Sequence, residues 1–368
     1  MIYLDSAATS LLKPATVEYA VVRAMRTMTS PGRGAYEPAM LAADTLYQCR
    51  ETAARLFHLN DPERVVFTMN ATHGLNLAIR SLAHRGSVVV ISGFEHNSVT
   101  RPLHALGADL HIAGRRLFDG EDTLREFARL LPGADLAVCT YVSNVFGYIL
   151  PIYEIADLCK KEGVPLIVDA SQAAGVLDLD MERLGAAFAA MPGHKGLLGP
   201  QGTGLLLCGQ EGRPLLYGGS GSDSLEQDMP DYLPDRLEAG THNVCGIAGL
   251  KAGMEYVLRC GTNSILKHER ELLRQMMEEL SRADLELFSC DGEQQCGVLS
   301  LRSKRLDSET AAALLGENGV CVRSGLHCAP LAHESAGTLQ SGTVRISFSP
   351  FLTASQISRA GSWMRELL

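Results

Sequence analysis

A mainly parallel α/β sheet with helices on both faces, followed by a smaller α+β unit, is the fold this sequence predicts. Three observations lead there. From about residue 64 to 208, short β-rich runs alternate with amphipathic helical stretches. The β-rich runs are apolar at nearly every position, as strands buried on both faces must be. After an irregular stretch the pattern changes at about residue 245 to long helices mixed with alternating strands.

Taken in order, the first strands read "RVVFT" (64–68), "SVVVIS" (87–92), "LAVCTYV" (136–142), "PLIVDAS" (165–171), "AAFAAM" (186–191) and "GTGLLLC" (202–208). Helices are expected between them, as in "HGLNLAIRSLA" and "PIYEIADLCKKEG". In the second of these Pro151 suits the first helical position, and Gly163 falls just past the end. Residues 209–240 are rich in Gly, Pro, Ser and Asp, a long irregular segment of the kind that usually carries function or motion. Beyond it, "LKHERELLRQMMEELSRA" predicts a strong amphipathic helix. "GVLSLRS", "GVCVRSG" and "GTVRISFS" predict strands, and "LTASQISRAGSWMRELL" predicts a closing helix.

The chain has 368 residues, 46% of them hydrophobic, enough to bury a full core and divide into two domains. A net charge of -9 argues against nucleic acid or an anionic membrane as partner. No apolar run reaches the roughly 18 residues of a membrane span. The opening "MIYLDSAATSLLK" lacks the basic-then-apolar order of a secretion signal, so a cytoplasmic protein is expected. Ten cysteines occur without a CxxC pair, and a disulfide framework is not expected.

Chemistry concentrates where strands end, which is where open α/β sheets bind ligands. In "FTMNATHGLN", Thr72 opens a helix after a strand, a point suited to phosphate by its free N–H groups and dipole. Asp169 ends an apolar strand in "IVDASQ", with Gln172 one short turn later. His96 follows another strand in "SGFEHNS". Lys195, in "PGHKGLLGPQGTG", stands among small, apolar and glycine neighbours, where desolvation would let it deprotonate and form an imine. Each residue has an ordinary structural reading. Together they supply a site for pyridoxal phosphate, with Lys195 for the imine, Asp169 for the pyridine nitrogen and Thr72 for the phosphate.

With these residues in view, the sequence resembles the class V aminotransferase group of fold-type I pyridoxal phosphate enzymes, and within it the cysteine desulfurases. The resemblance rests on "YLDSAATS", "FTMNATHGLNLAI", "EHNS", "YVSNVFG", "VDASQAAG", "GHKGLLGPQGTG", "LEAGTHN", "VRSGLHCAP" and "TVRISF", which run from residue 3 to about 348. It implies a large domain over 15–244 with a mainly parallel seven-stranded sheet, and a small α+β domain from 1–14 and 245–368. It further implies that Lys195 binds the cofactor, His96 stacks on its ring, Asp169 pairs with the ring nitrogen and Gln172 bonds the phenolic oxygen. Asn144 would lie near ring and substrate, and Thr72 and His194 at the phosphate. Thr241 would reach that phosphate from the second subunit of a homodimer. Arg345 would clamp the substrate carboxylate, with Arg323 close to Cys328, the sulfur acceptor.

Two positions depart from the family pattern. Pro192 stands where a phosphate-binding serine is frequent, and Ala71 where a first threonine is common. Cys328 lies in a loop marked by Gly325 and Pro330, where His327 and Arg323 could favour its thiolate. "HCAPLAH" also offers His327, Cys328 and His333 as metal ligands. Two of the three are adjacent and no fourth is evident, so no metal is expected. The activity implied is conversion of L-cysteine to alanine with a persulfide left on Cys328 and passed to an acceptor protein, as in sulfur mobilisation for iron–sulfur cluster assembly. Selenocysteine cleavage, β-elimination and transamination would keep the same lysine and aspartate, as would a non-catalytic pyridoxal-binding or sulfur-carrier protein.

Overall fold

The computed structural model describes residues 1–32, 34–222 and 224–368. Its strands, in chain order, are β1 (Ile2–Tyr3), β2 (Val65–Thr68), β3 (Val88–Ser92), β4 (Asp109–Ala113), β5 (Leu136–Thr140), β6 (Leu166–Asp169) and β7 (Phe188–Pro192). They continue with β8 (Gly204–Cys208), β9 (Leu285–Phe288), β10 (Val298–Ser303), β11 (Val320–Cys321), β12 (Arg323–Gly325) and β13 (Thr343–Ser347).

Seven strands form the central sheet in the order β2-β8-β7-β6-β5-β3-β4. Only β8 runs antiparallel to its neighbours. Successive side chains point to opposite faces, and the core divides accordingly. Ala137 and Cys139 of β5 pack into one hydrophobic cluster, Leu136 and Val138 into another. Both faces are therefore covered, which is why the strands read as unbroken apolar runs.

One strand of this sheet, β4, is absent from the sequence reading. It lies at the sheet edge, its "DLHIA" carries an exposed Asp109 and half-buried Leu110 and His111, and so no apolar run announces it. The expected strand at 319–325 divides into β11 and β12, which belong to different sheets. Pro151 is the N-cap and not the first helical residue of Ile152–Glu162, and Gly163 closes that helix with φ 70°. The helix after β2 runs Ala71–Leu82 with Asn70 as its N-cap, accepting from His73 N at 2.9 Å, so Thr72 sits inside the first turn.

A second, antiparallel sheet has the order β12-β13-β10-β9. The helices Thr262–Leu280 and Ala354–Leu367 pack on it through Leu273, Met276, Ile357 and Met364. The N-terminus crosses to this side. β1 pairs with β11, and Ile2 and Leu4 join its core. The helix Val244–Cys260 lies instead against Ala15–Thr27 and Glu37–Leu56, with Leu250 and Met254 in the core of the large sheet. Between Cys208 and Val244 the described residues form no strand and only a short 3-10 turn, Asp235–Leu237.

Candidate active site

The order of the large sheet reverses direction between β3 and β5, so the loops after these strands diverge and leave a crevice. A cavity of about 500 Å³ lies there, lined by Thr72, His96, Asn144, Asp169, Gln172, His194 and Lys195. Seven residues drawn from five segments of the sequence thus meet in one place. Pro192 and Ala71 line it too, without a side-chain donor.

Asp169 ends β6 almost fully buried. Its Oδ1 accepts from Ser171 N at 2.9 Å, and its Oδ2 accepts nothing among the described residues. Lys195 follows β7, and burial pulls its ammonium down to about 8, against the opposing pull of Asp169. Burial also lowers His96, with Asp169 pulling the other way. Its Nδ1 accepts from Ser98 N at 3.0 Å, which leaves the proton of the neutral ring on Nε2. His194 is pushed down to about 4 by burial first and then by Lys195 and Lys13, and its Nδ1 lies 3.0 Å from Thr9 Oγ1. Gln172 Nε2 donates to the Ala7 carbonyl at 3.0 Å.

Two residues that the sequence reading passed over belong to this group. Ser98 Oγ stands 2.8 Å from Thr72 Oγ1 and 2.9 Å from His96 Nδ1, joining the two across the cavity wall. It was visible in "EHNS", two residues past His96, but nothing local marks a serine as a bridge between two helices. Asp5 is the other. The buried Arg345 donates through Nη2 to Asp5 Oδ1 at 2.8 Å and through Nη1 to the Asn144 carbonyl at 3.1 Å, while its Nε has no partner.

Cys328 does not line the cavity. It is exposed, and it is tied back to the site through the backbone. Asn97 N donates to the Cys328 carbonyl at 2.8 Å, and Asn144 Nδ2 donates to the His327 carbonyl at the same distance. His327 and Cys328 both have left-handed backbones, φ 49° and 57°, at a cost on the order of 1–2 kcal/mol each. The expectation that His327 favours a thiolate fails. Burial drives its basicity down to about 2, so the ring stays neutral and lends no positive charge. Arg323 remains as the cation, exposed on β12 and directly across from Arg345 on β13. Among the described residues no group of three His, Cys, Asp or Glu is arranged to hold a metal ion.

Thr241 lies elsewhere. Within one chain it lines a separate cavity of about 720 Å³, with Met69, His73, Gly202 and His242. Its loop is anchored by a buried bidentate ion pair, Arg50 to Glu238 at 2.7 and 2.9 Å. The two cavities flank the same turn, 68–73, but share no lining residue, so within one chain Thr241 does not line the Lys195 cavity.

The model for aminotransferase class-V matches residues 2–360. The chain is 33% identical to a probable cysteine desulfurase of Methanothermobacter thermautotrophicus, over all of this chain and 94% of that protein. A probable cysteine desulfurase of Pyrococcus abyssi is 30% identical with the same coverage. Among solved structures, the apo cysteine desulfurase of Thermococcus onnurineus superposes with a TM-score of 0.91 at 30% identity, over 100% of this chain and 94% of that one. The cysteine desulfurase CsdA of Escherichia coli superposes at 0.88 with 26% identity, over 99% and 94%. The parallel sheet, the crevice at its reversal and these likenesses along the full length agree, and the chain belongs to the class-V aminotransferase family.

Proposed function

We propose that this protein is a pyridoxal phosphate-dependent cysteine desulfurase that converts L-cysteine to L-alanine and leaves the sulfur on Cys328. The observation that carries the reading is the meeting of Lys195, Asp169, His96 and Thr72 in one cavity, with the exposed Cys328 tied to its rim by Asn97 and Asn144. The residues fit the cofactor. A deep lysine with depressed basicity faces a buried carboxylate whose Oδ2 is unused, and a helix N-terminus opens beside Thr72.

When bound, pyridoxal phosphate supplies an electron sink for charge developing at the substrate's α-carbon. Lys195 holds it and then moves the α-proton, for which it must be neutral. Asp169 would hold the proton on its ring nitrogen, His96 would cover its ring and Gln172 would donate to its phenolic oxygen. Thr72, Ser98 and His194, with the N–H groups of the helix, would hold its phosphate. Arg345 orients the substrate through its carboxylate. The Cys328 thiolate attacks the substrate sulfur. The Cβ–S bond breaks with its electron pair going to Cβ, which takes a proton, and the new S–S bond leaves a persulfide on Cys328. An acceptor thiol then removes that sulfur.

A homodimer completes the site through Thr241. Tyr19 and Met25 on Ala15–Thr27 and Met40 and Tyr47 on Glu37–Leu56, all more than half exposed, offer an apolar face for it.

The test is Cys328→Ala. Folding, colour and binding of L-cysteine should persist, because they depend on Lys195, Asp169 and Arg345. Alanine formation should fall by about 10³-fold or more, since the attacking thiolate is then missing. Alanine at the wild-type rate would replace this reading with elimination or transamination.

A further inference from the structure

The segment around Cys328 has an odd construction. Cys328 is exposed, yet both its neighbours, His327 and Ala329, are buried. The chain leaves the interior for one residue and returns at once, through two consecutive left-handed residues that are not glycine. Such a backbone persists only where its surroundings over-determine it.

What surrounds it is a pair of buried imidazoles. The His327 and His333 rings stack with centroids 5.7 Å apart and planes 30° from parallel. His333 is fully buried on the short helix Pro330–Ser335, so the stack ties the chain before the cysteine to the helix after it. Each ring is held in plane by a threonine. His327 Nε2 lies 3.2 Å from both the carbonyl oxygen and Oγ1 of Thr343, and His333 Nδ1 lies 2.7 Å from Thr338 Oγ1. His333 also meets the ring of Phe146, tilted at 58° with centroids 5.8 Å apart. Phe146 is two residues beyond Asn144, whose amide donates to the His327 carbonyl. The contacts form a closed circuit from Asn144 through His327, His333 and Phe146 back to Asn144.

The circuit is not there to satisfy polar atoms. His327 Nδ1 is buried without a hydrogen-bond partner, a cost that an apolar residue would avoid. The rings serve by their planes and their fixed contacts. Burial keeps both rings neutral, with Arg345 and Arg323 the cations facing His327, so the stack carries no charge of its own at neutral pH.

We propose that the His327–His333 stack holds the Cys328 segment in its strained conformation, and that His333 is a positioning residue for sulfur transfer. The inference rests on Cys328 being the sulfur acceptor, but its test reads the backbone directly and is separable from that assignment.

The experiment is hydrogen–deuterium exchange on the cofactor-loaded full-length protein, resolved at the Asn97 and Ala329 amides. These donate to the Cys328 and Leu326 carbonyls. In His333→Ala both amides should exchange about tenfold faster or more, with strand β5 unchanged. In His333→Phe, which keeps a ring against His327, rates should stay within about threefold of wild type. Turnover of His333→Ala should show kcat reduced about tenfold with KM for L-cysteine unchanged, because Arg345 still holds the substrate. Wild-type protection in a folded His333→Ala, or a change confined to KM, would overturn the proposal. Should His333→Ala fail to fold, Thr338→Val decides. It releases only the His333 ring, and faster exchange at Asn97 supports the clamp while wild-type exchange refutes it.

Discussion

Arg345 donates to Asp5 at 2.8 Å across 340 residues of chain, and the carboxylate occupies one of the guanidinium's donor positions before any substrate arrives. A substrate carboxylate that binds Arg345, as proposed, would share or displace this contact. Asp5→Asn should lower KM for L-cysteine by about threefold to tenfold, since a neutral amide competes less well for the fork. It should also destabilise the apo-protein by about 2 kcal/mol, because Arg345 is left buried with less compensation. Steady-state kinetics and thermal melts check the two halves separately.

Lys195 gives a pH signature. Its ammonium is held at about 8, below the ordinary 10.5, so a neutral amine is present at a far lower pH than on an exposed lysine. Reconstitution of apo-protein with pyridoxal phosphate should accelerate up to about pH 8 and level off above it, followed by absorbance of the bound cofactor. Borohydride should then fix the cofactor on Lys195. The sign for stability follows from proton uptake. Between about 8 and 10.5 the unfolded chain binds more protons than the folded one, so apo-protein stability rises with pH across that window. A reconstitution profile still climbing at pH 10 would contradict the buried lysine.

Ser98 bridges Thr72 and His96, and Pro192 offers no donor beside them. Ser98→Ala should weaken cofactor retention by about 1 kcal/mol, or roughly fivefold in Kd, the worth of one such hydrogen bond. Pro192→Ser should tighten retention or leave it unchanged, since it adds a hydroxyl while giving up a fixed φ. Cofactor titration of the apo-proteins measures both, and a large loss in Pro192→Ser would mean the phosphate is held by a different arrangement.

Thr241 lines its own chain's second cavity, so its effect on the cofactor should depend on assembly. Thr241→Ala should weaken retention by about 1 kcal/mol. Dilution below the dimer's dissociation constant should release cofactor from wild type, followed by sedimentation and absorbance together. A dilute monomer that keeps cofactor and full activity would exclude the shared site.

Much of this protein was determined by its sequence alone. Strands buried on both faces must be apolar throughout, so β5 and β6 announce themselves, and the residue ending such a strand, Asp169, is marked by its contrast with them. Lys195 is conspicuous for the same reason, a charge among glycines and apolar residues. The tertiary structure alone decided whatever depends on which strands become neighbours. The edge strand β4 needs less burial and so carries no apolar signature. Asp5 meets Arg345 only because the N-terminus crosses to lie beside β13, its Asp5 bridging Ser347. Ser98 joins Thr72 only because two helices start at the same rim. The neutrality of His327 is likewise a matter of burial, which removed one of the two positive charges expected beside Cys328. Local periodicity records how much of a segment is covered, whereas the identity of what covers it is set by sheet order and by contacts between residues hundreds of positions apart.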